Sequence, residues 1–176
     1  CFNEEDVLPL FYQEVTKVLE SIENTTYELL FINDGSSDHT EDLIKLMAHK
    51  NKQCFYYSFS RNFGKEAAMY AGLENATGDY VVIMDADLQH PPYLLKEMYR
   101  SLKEENYDCS AGKRIDRTGE GKLRNFLSHS FYKVIQTLTK MDMDDGAGDF
   151  RMMTRQMVDA ILELKEYNRY MKGLFS

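Results

Sequence analysis

Short apolar runs alternate with helical apolar spacing along the chain. The runs predict strands over residues 27–32, 55–59, 81–84 and 108–112, and the end of another strand at residues 1–2. Apolar residues three and four apart predict helices within residues 8–22, 38–47, 66–74, 95–102, 127–138 and 157–164. Strands that alternate with helices form a sheet with right-handed crossovers. The pattern therefore predicts an α/β fold with a mostly parallel sheet and helices on both faces.

One predicted strand runs directly into a cluster of oxygen-bearing side chains. Residues 81–84 form a short apolar run, rich in β-branched residues, that is typical of a buried central strand. Asp85, Asp87 and Gln89 follow at alternate positions, so an extended backbone would point them to one side. Ligands of open α/β sheets bind at such carboxyl ends, and Mg²⁺ and Mn²⁺ favour oxygen ligands. The stretch predicts a metal site; the alternative is an acidic turn before a helix that Pro92 begins.

Polar side chains also follow the other predicted strands. Ligands gather at the carboxyl edge of such a sheet, so these side chains are expected to lie together and to face a nucleotide. This clustering favours the metal site over the acidic turn. Asp38 with Glu41 resembles a capping box, so we interpret Asp38 as a helix cap rather than a ligand. The clustered residues are Asn3, Glu4, Glu5, Asp34, Arg61 and Lys65.

Composition limits the classes of protein to which the chain can belong. Its 176 residues are enough for one domain with a substantial core. The net charge of -8 argues against a nucleic-acid partner. The three cysteines have no CxxC spacing, which favours a reduced environment. There is no initiator Met and no apolar run of about 18 residues, and we expect a piece of a longer protein with a truncated first strand.

The charge pattern reverses after Gly112. Residues 113–124 hold five basic side chains against two acidic ones, and they precede the amphipathic segment 127–138. Such a loop could meet anionic lipid or phosphate, although an ordinary solvated loop and a core-facing helix are the alternative. Further along, small residues in the segment 146–151 would place Asp149 at the start of a short strand or helix.

The ordered set of motifs resembles family 2 glycosyltransferases with the GT-A fold, which is Rossmann-like. Within that family the chain is most similar to polyprenyl-phosphate hexosyltransferases, namely bactoprenol glucosyltransferases and dolichol-phosphate mannose synthases. The resemblance spans nearly the whole chain and implies a single catalytic domain, with a nucleotide-sugar-binding half at 1–112 and an acceptor-side half at 113–176. The motifs are the segments 3–5, 33–38, 60–68, 85–92, 148–151 and 169–174.

The resemblance implies a role for each matching residue. Nucleotide-sugar contacts are expected from Asn3, Glu4, Glu5, Asp34, Lys65, Asp85 and Ala86. A Mg²⁺ or Mn²⁺ ion is expected on Asp85, Asp87 and Gln89. The expected catalytic residues are Asp149 and Asp87, and the expected contacts of the acceptor or leaving diphosphate are Arg114, Arg124, Arg169 and Lys172.

The implied reaction is inverting transfer of a hexose from a nucleotide-sugar, with UDP the expected nucleotide, to polyprenyl phosphate. It would take place at the cytoplasmic face of a membrane, through a C-terminal region that the chain lacks, and a homo-oligomer is left open. The QxxRW motif of processive relatives is absent, which argues against polymerisation. The alternatives are a GT-A transferase with a soluble or glycan acceptor and a nucleotide-sugar-binding domain without turnover.

Overall fold

The computed structural model describes residues 1–113 and 147–163. Most elements begin and end within two residues of the predicted bounds, because their apolar spacing follows the local geometry. Within these ranges the strands are β1 (Leu29–Asn33), β2 (Cys54–Ser58), β3 (Tyr80–Ile83), β4 (Cys109–Lys113) and β5 (Ala147–Thr154). The helices are α1 (Leu8–Glu20), α2 (Thr40–Lys50), α3 (Lys65–Asn75), α4 (Leu94–Glu105) and α5 (Arg155–Glu163).

The described strands form two ladders. Strands β1 and β2 pair in parallel, as the strand–helix alternation predicted. Strand β5 lies between β3 and β4 and is antiparallel to both, which the alternation did not predict. Both faces of β5 are buried, since Phe150, Arg151, Met152 and Met153 are each at most 6% exposed. A strand with two buried faces needs a central position, which explains why β5 enters the middle of this sheet.

Helices cover both faces of the sheets, as predicted. On one face, Leu8 and Phe11 of α1 share an apolar core with Leu95 of α4. On the other face, Leu73 of α3 packs in a second core with Val158 of α5. The α/β class is therefore confirmed. Among the described helices, none is both long and apolar enough to cross a bilayer.

The first residue of the chain, Cys1, pairs through its backbone with the carboxyl end of β1. Cys1 donates its N–H to Ile32 O at 2.7 Å, and Asp34 donates to Cys1 O at 2.9 Å. This is the hydrogen-bond pattern of a parallel ladder, in keeping with the strand end predicted there. A largely apolar cavity of about 480 Å³ lies between β1 and β3, and its lining includes Lys65 and Asp85. The cavity therefore borders the predicted site.

Candidate functional site

Two of the predicted site residues, Asp85 and Asp149, are brought together by the antiparallel pairing of β3 and β5. The register pairs Ile83 with Arg151. Continuing this register by two residues places Asp149 directly opposite Asp85, just beyond the carboxyl end of β3. The two carboxylates are 64 positions apart in the chain, so only the sheet brings them to the same edge.

Lys65 links these two carboxylates. Its ammonium nitrogen lies 2.7 Å from Asp85 Oδ2 and 2.7 Å from Asp149 Oδ2. The side chain of Asp149 is only 13% exposed, whereas that of Asp85 is 35% exposed. Burial lowers the pKa of Lys65, but the hydrogen bonds to Asp149 and Asp85 outweigh burial and raise the pKa overall. Lys65 is therefore a stable cation between two carboxylates.

Asp34 holds the loop that precedes Lys65. Its side chain is buried, and its two carboxylate oxygens accept the backbone N–H groups of Phe63 at 2.7 Å and Gly64 at 2.9 Å. The neighbouring Gly35 has φ +67° and lies against the backbone of Arg61. Asp34 was predicted to contact the donor; in the structure its carboxylate orients the start of α3 and so sets the position of Lys65.

Asn3 and Glu5 hold the loop between β1 and α2. Asn3 Oδ1 accepts the N–H of Ser37 at 2.9 Å, and Glu5 Oε2 accepts the N–H of His39 at 2.8 Å. These side chains were predicted to contact the nucleotide-sugar. The structure shows that each of them already accepts a backbone hydrogen bond from the neighbouring loop.

Asp38 was predicted as the cap of α2, but the N-cap is His39, and Asp38 precedes it by one residue. Its Oδ1 accepts the N–H of Thr40 at 3.0 Å, and its Oδ2 accepts the N–H of Glu5 at 3.1 Å. The second half of the predicted capping box is wrong, because Glu41 pairs with Lys45 at 2.7 Å. The backbone N–H of His39 at the helix start is instead satisfied by Glu5, from the loop after residue 1.

Glu4 differs from its neighbours because its carboxylate lies near the acidic residues that follow β3. Burial raises the pKa of Glu4, and the negative charges of Asp87 and Asp85 raise it further. A donor-binding role for Glu4 stays a prediction. The negative charges of Asp85 and Asp87 both act on Glu4, and their combined field favours a nearby cation.

The backbone after Asp87 is not extended. Asp87 Oδ1 accepts the N–H of Gln89 at 2.9 Å, and Leu88 has φ +58°. The expectation that Asp85, Asp87 and Gln89 point to one side of an extended segment is therefore wrong beyond Asp87, because an Asx-type turn reorients the chain. A metal-ligand role for Gln89 stays a prediction that the spacing no longer supports.

The residues present fit a divalent ion that shares its ligands with a substrate. Asp85 and Asp87 offer carboxylate oxygens, which hard cations favour. Residues 1–113 and 147–163 contain no cluster of three or more His, Cys, Asp or Glu that could hold an ion. Mg²⁺ is commonly bound by one or two carboxylates, with substrate phosphates and water completing the coordination. This arrangement suits an ion that binds together with a diphosphate.

Two residues beside Asp149 were not predicted as site residues. The ring of His90 stacks on Phe150 with centroids 4.9 Å apart, consistent with an orienting role for His90 in the loop after β3. Arg151 is 3% exposed, and burial lowers its pKa although the charges of Cys109 and Asp149 oppose this. The sequence signal for Arg151 was an arginine within an otherwise apolar strand.

The remaining predictions divide into two groups. Ala86 was predicted to contact the donor, but its side chain is 6% exposed and packs in the apolar core. Only its backbone could therefore face a ligand. The four predicted contacts of the acceptor or diphosphate lie outside the described residues: Arg114, Arg124, Arg169 and Lys172.

Comparison with known protein families identifies relatives over nearly the whole chain. Residues 1–162 match the model for glycosyl transferase family 2. The chain is 47% identical to the putative glycosyltransferase CsbB of Bacillus subtilis, covering 99% of the chain and 52% of that protein. It is 38% identical to the bactoprenol glucosyl transferase of Shigella phage SfX, covering 99% of the chain and 57% of that protein. The chain thus spans about half the length of these relatives.

A solved structure shares the fold. The mannosyltransferase PcManGT from Pyrobaculum calidifontis, in complex with GDP-Man and Mn²⁺, matches with a TM-score of 0.58 at 20% identity. The match covers 92% of this chain and 44% of that protein. At this level of identity the similarity shows the fold alone, and it agrees with the predicted GT-A architecture.

Proposed function

Because the chain belongs to glycosyl transferase family 2, we propose that it is the catalytic domain of an inverting hexosyltransferase that glycosylates a polyprenyl phosphate. The donor would be a UDP-sugar, and the reaction would take place at the cytoplasmic face of a membrane. The names of relatives such as the phage bactoprenol glucosyl transferase support the acceptor class. The family places the protein among transferases; donor, acceptor and location are our proposal.

The observation that carries this proposal is the meeting of Asp85, Lys65 and Asp149 at one edge of the sheet. Lys65 Nζ lies 2.7 Å from each carboxylate. Asp85 follows β3, its charge and that of Asp87 act on Glu4, and Asp149 belongs to β5. The site therefore joins a segment suited to a metal and diphosphate to a residue of the proposed acceptor-side half, 113–176.

A divalent ion on Asp85 and Asp87 would stabilise the negative charge that develops on the leaving diphosphate. The complex of the distant structural relative with GDP-Man and Mn²⁺ supports this choice of ion. The protein's part is to hold the two carboxylates in place. The turn between Asp87 and Gln89 holds the carboxylate of Asp87, and the ion pair with Lys65 holds the carboxylate of Asp85.

The acceptor determines what Asp149 must do. A phosphate monoester has a second pKa of about 6, so it is mostly a dianion at neutral pH and needs little deprotonation. Asp149 Oδ2 is held by Lys65, while Asp149 Oδ1 is buried and has no hydrogen-bond partner within the described part of the chain. This geometry suits a carboxylate oxygen that accepts a hydrogen bond from a sugar hydroxyl. We propose that Asp149 positions a substrate and is not a general base.

Replacing Asp149 with Asn is expected to reduce transfer about tenfold to a hundredfold, because a hydrogen-bonding position is kept but its charge is lost. The pH profile of kcat/KM should keep its shape. Asp159→Asn, on the exposed side of α5, serves as the matched control and should leave transfer unchanged. A loss as large as that of Asp87→Asn, together with disappearance of a carboxylate limb from the profile, would show that Asp149 is the base.

Transfer of labelled hexose to undecaprenyl phosphate by the full-length protein tests the proposed function directly. We expect product from a UDP-hexose only when Mg²⁺ or Mn²⁺ is present. Product formed on a soluble glycan but not on the lipid would show that the acceptor is a glycan and not a polyprenyl phosphate. Absence of transfer to any acceptor, despite donor binding, would favour a nucleotide-sugar-binding domain without turnover.

Donor binding can be measured on the described domain by thermal shift. A ligand that binds only the folded state at 100 times its Kd raises stability by about 2.7 kcal/mol. We expect UDP-sugars with Mn²⁺ to raise the Tm, and the same sugars with EDTA to raise it much less. A larger rise in Tm with GDP-sugars would indicate that the donor is a GDP-sugar and not a UDP-sugar. No rise with any nucleotide-sugar would contradict the proposed donor site.

A further inference from the structure

Lys65 stands where helix electrostatics disfavour a cation. It is the first residue of α3, and the N-terminal end of a helix carries a partial positive charge. Its position is also constrained from outside the helix, because Asp34 fixes the two backbone groups that precede it. The favourable interaction at this position comes from the carboxylates of Asp85 and Asp149. A lysine at this position is therefore stabilised by the carboxylates of the site and not by the electrostatics of the helix.

The charges around Lys65 are unbalanced. Asp85 and Asp149 touch it directly, and the charges of Asp85 and Asp87 both act on Glu4. Among the ion pairs of the described residues, those that reach Asp85 and Asp149 both end at Lys65. Lys65 is thus the cation in direct contact with both Asp85 and Asp149, and Asp85 is also a proposed ligand of the divalent ion.

We propose that Lys65 is a resident counter-ion that competes with the divalent ion for Asp85 and remains paired with Asp149 once the ion is bound. This inference rests on the proposed function only in its choice of ion. It gives Lys65 a positioning role that differs from direct contact with the nucleotide-sugar.

The competition has a functional consequence. An ammonium group beside Asp85 repels a divalent cation, so an ion alone gains little at this site. A donor diphosphate brings further negative charge and oxygen ligands, which offset that repulsion. Lys65 therefore favours entry of the ion together with the diphosphate over entry of the ion alone. Its second partner, Asp149, keeps the ammonium group in the site after Asp85 has turned to the ion.

Mn²⁺ binding in the absence of donor tests this inference without measuring transfer. Free Mn²⁺ is titrated by electron paramagnetic resonance against the wild-type protein and Lys65→Met, both checked for folding by circular dichroism. We expect Lys65→Met to bind Mn²⁺ at least about tenfold more tightly, because the repulsion between a unit charge and a dication about 6 Å apart corresponds to that factor even in bulk water. Lys65→Arg keeps the charge and should bind like the wild type.

Lys45→Met is the matched control, because Lys45 is an exposed lysine whose ion-pair partner is Glu41 of the same helix. Its Kd for Mn²⁺ should equal that of the wild type. An unchanged or weaker Kd in folded Lys65→Met overturns the inference, and so does failure of both proteins to bind Mn²⁺. Tighter Mn²⁺ binding by Lys65→Met combined with no hexose transfer by the wild-type full-length protein would contradict the proposed function alone.

Discussion

Replacing Asp87 with Asn is expected to lower hexose transfer by about a hundredfold to a thousandfold. The asparagine keeps an oxygen that can accept the N–H of Gln89, now 2.9 Å from Asp87 Oδ1. The turn after β3 should therefore persist, and only the negative charge offered to the ion and diphosphate is removed. The measurement is kcat for transfer at saturating donor over a series of Mn²⁺ concentrations, with the Tm recorded alongside.

Asp42→Asn is the control for this substitution. Asp42 lies in the first turn of α2 with a side chain that is 76% exposed, and its recorded ion-pair partner is His39. We expect its transfer rate to stay within about twofold of the wild type, as is usual for surface positions. If Asp87→Asn kept most of its activity at all Mn²⁺ concentrations, the assignment of Asp87 to the ion would be wrong.

Replacing Gly35 with Ala is expected to destabilise the protein by about 4 kcal/mol, from backbone strain at positive φ and from overpacking. The added methyl carbon would overlap the backbone carbonyl carbon of Arg61, and φ is +67°. Backbone atoms cannot swing aside as a side chain can. The strand-end loop would therefore have to move away from Arg61, which would disturb the hydrogen bonds that Asp34 accepts from Phe63 and Gly64. Chemical denaturation at 25 °C measures the change in free energy of unfolding.

Gly64→Ala separates the two contributions. Gly64 also has positive φ, at +95°, but a methyl group there would meet no atom within 4 Å. Its cost is the backbone strain alone, about 2 kcal/mol. The difference between the two variants reports the contact with Arg61. Equal losses of stability would mean that this close approach of the two loops is absent in solution.

The effect of substituting Gly35 should reach the candidate site through a series of contacts. Gly35 permits the contact of two loops, and Asp34 then holds the residues before Lys65. Lys65 in turn holds Asp85 and Asp149. A Gly35 variant that remains folded should consequently lose transfer as well, because the position of Lys65 depends on that contact. Stability and activity are coupled at this loop.

Much of this arrangement was visible in the sequence. The apolar runs predicted β1 to β4, and the helical spacing predicted α1 to α4, since burial of one face leaves a local periodic pattern. The collection of polar residues at strand ends followed from the parallel alternation. The motifs implied the family, which the match over residues 1–162 confirms.

Other features could not be read from spacing. The turn at Leu88, with φ +58°, broke the extended geometry assumed for residues 85–89. Asn3, Glu5 and Asp34 had the composition of ligand-binding residues, but their carboxylate and amide oxygens accept backbone hydrogen bonds from loops about 30 residues away. A sequence shows which groups can accept a hydrogen bond, but only the fold shows which donors lie within hydrogen-bond distance of them.

The sequence by itself determined the α/β class, the strand ends that carry the acidic residues and the family. Each of these is written in local periodicity or in the order of short motifs. Only the tertiary structure decided that β5 lies antiparallel between β3 and β4, which sets Asp149 opposite Asp85 and allows Lys65 to join them. Pairing of distant strands depends on which faces they bury together, and the local spacing of apolar residues does not specify the partner strand.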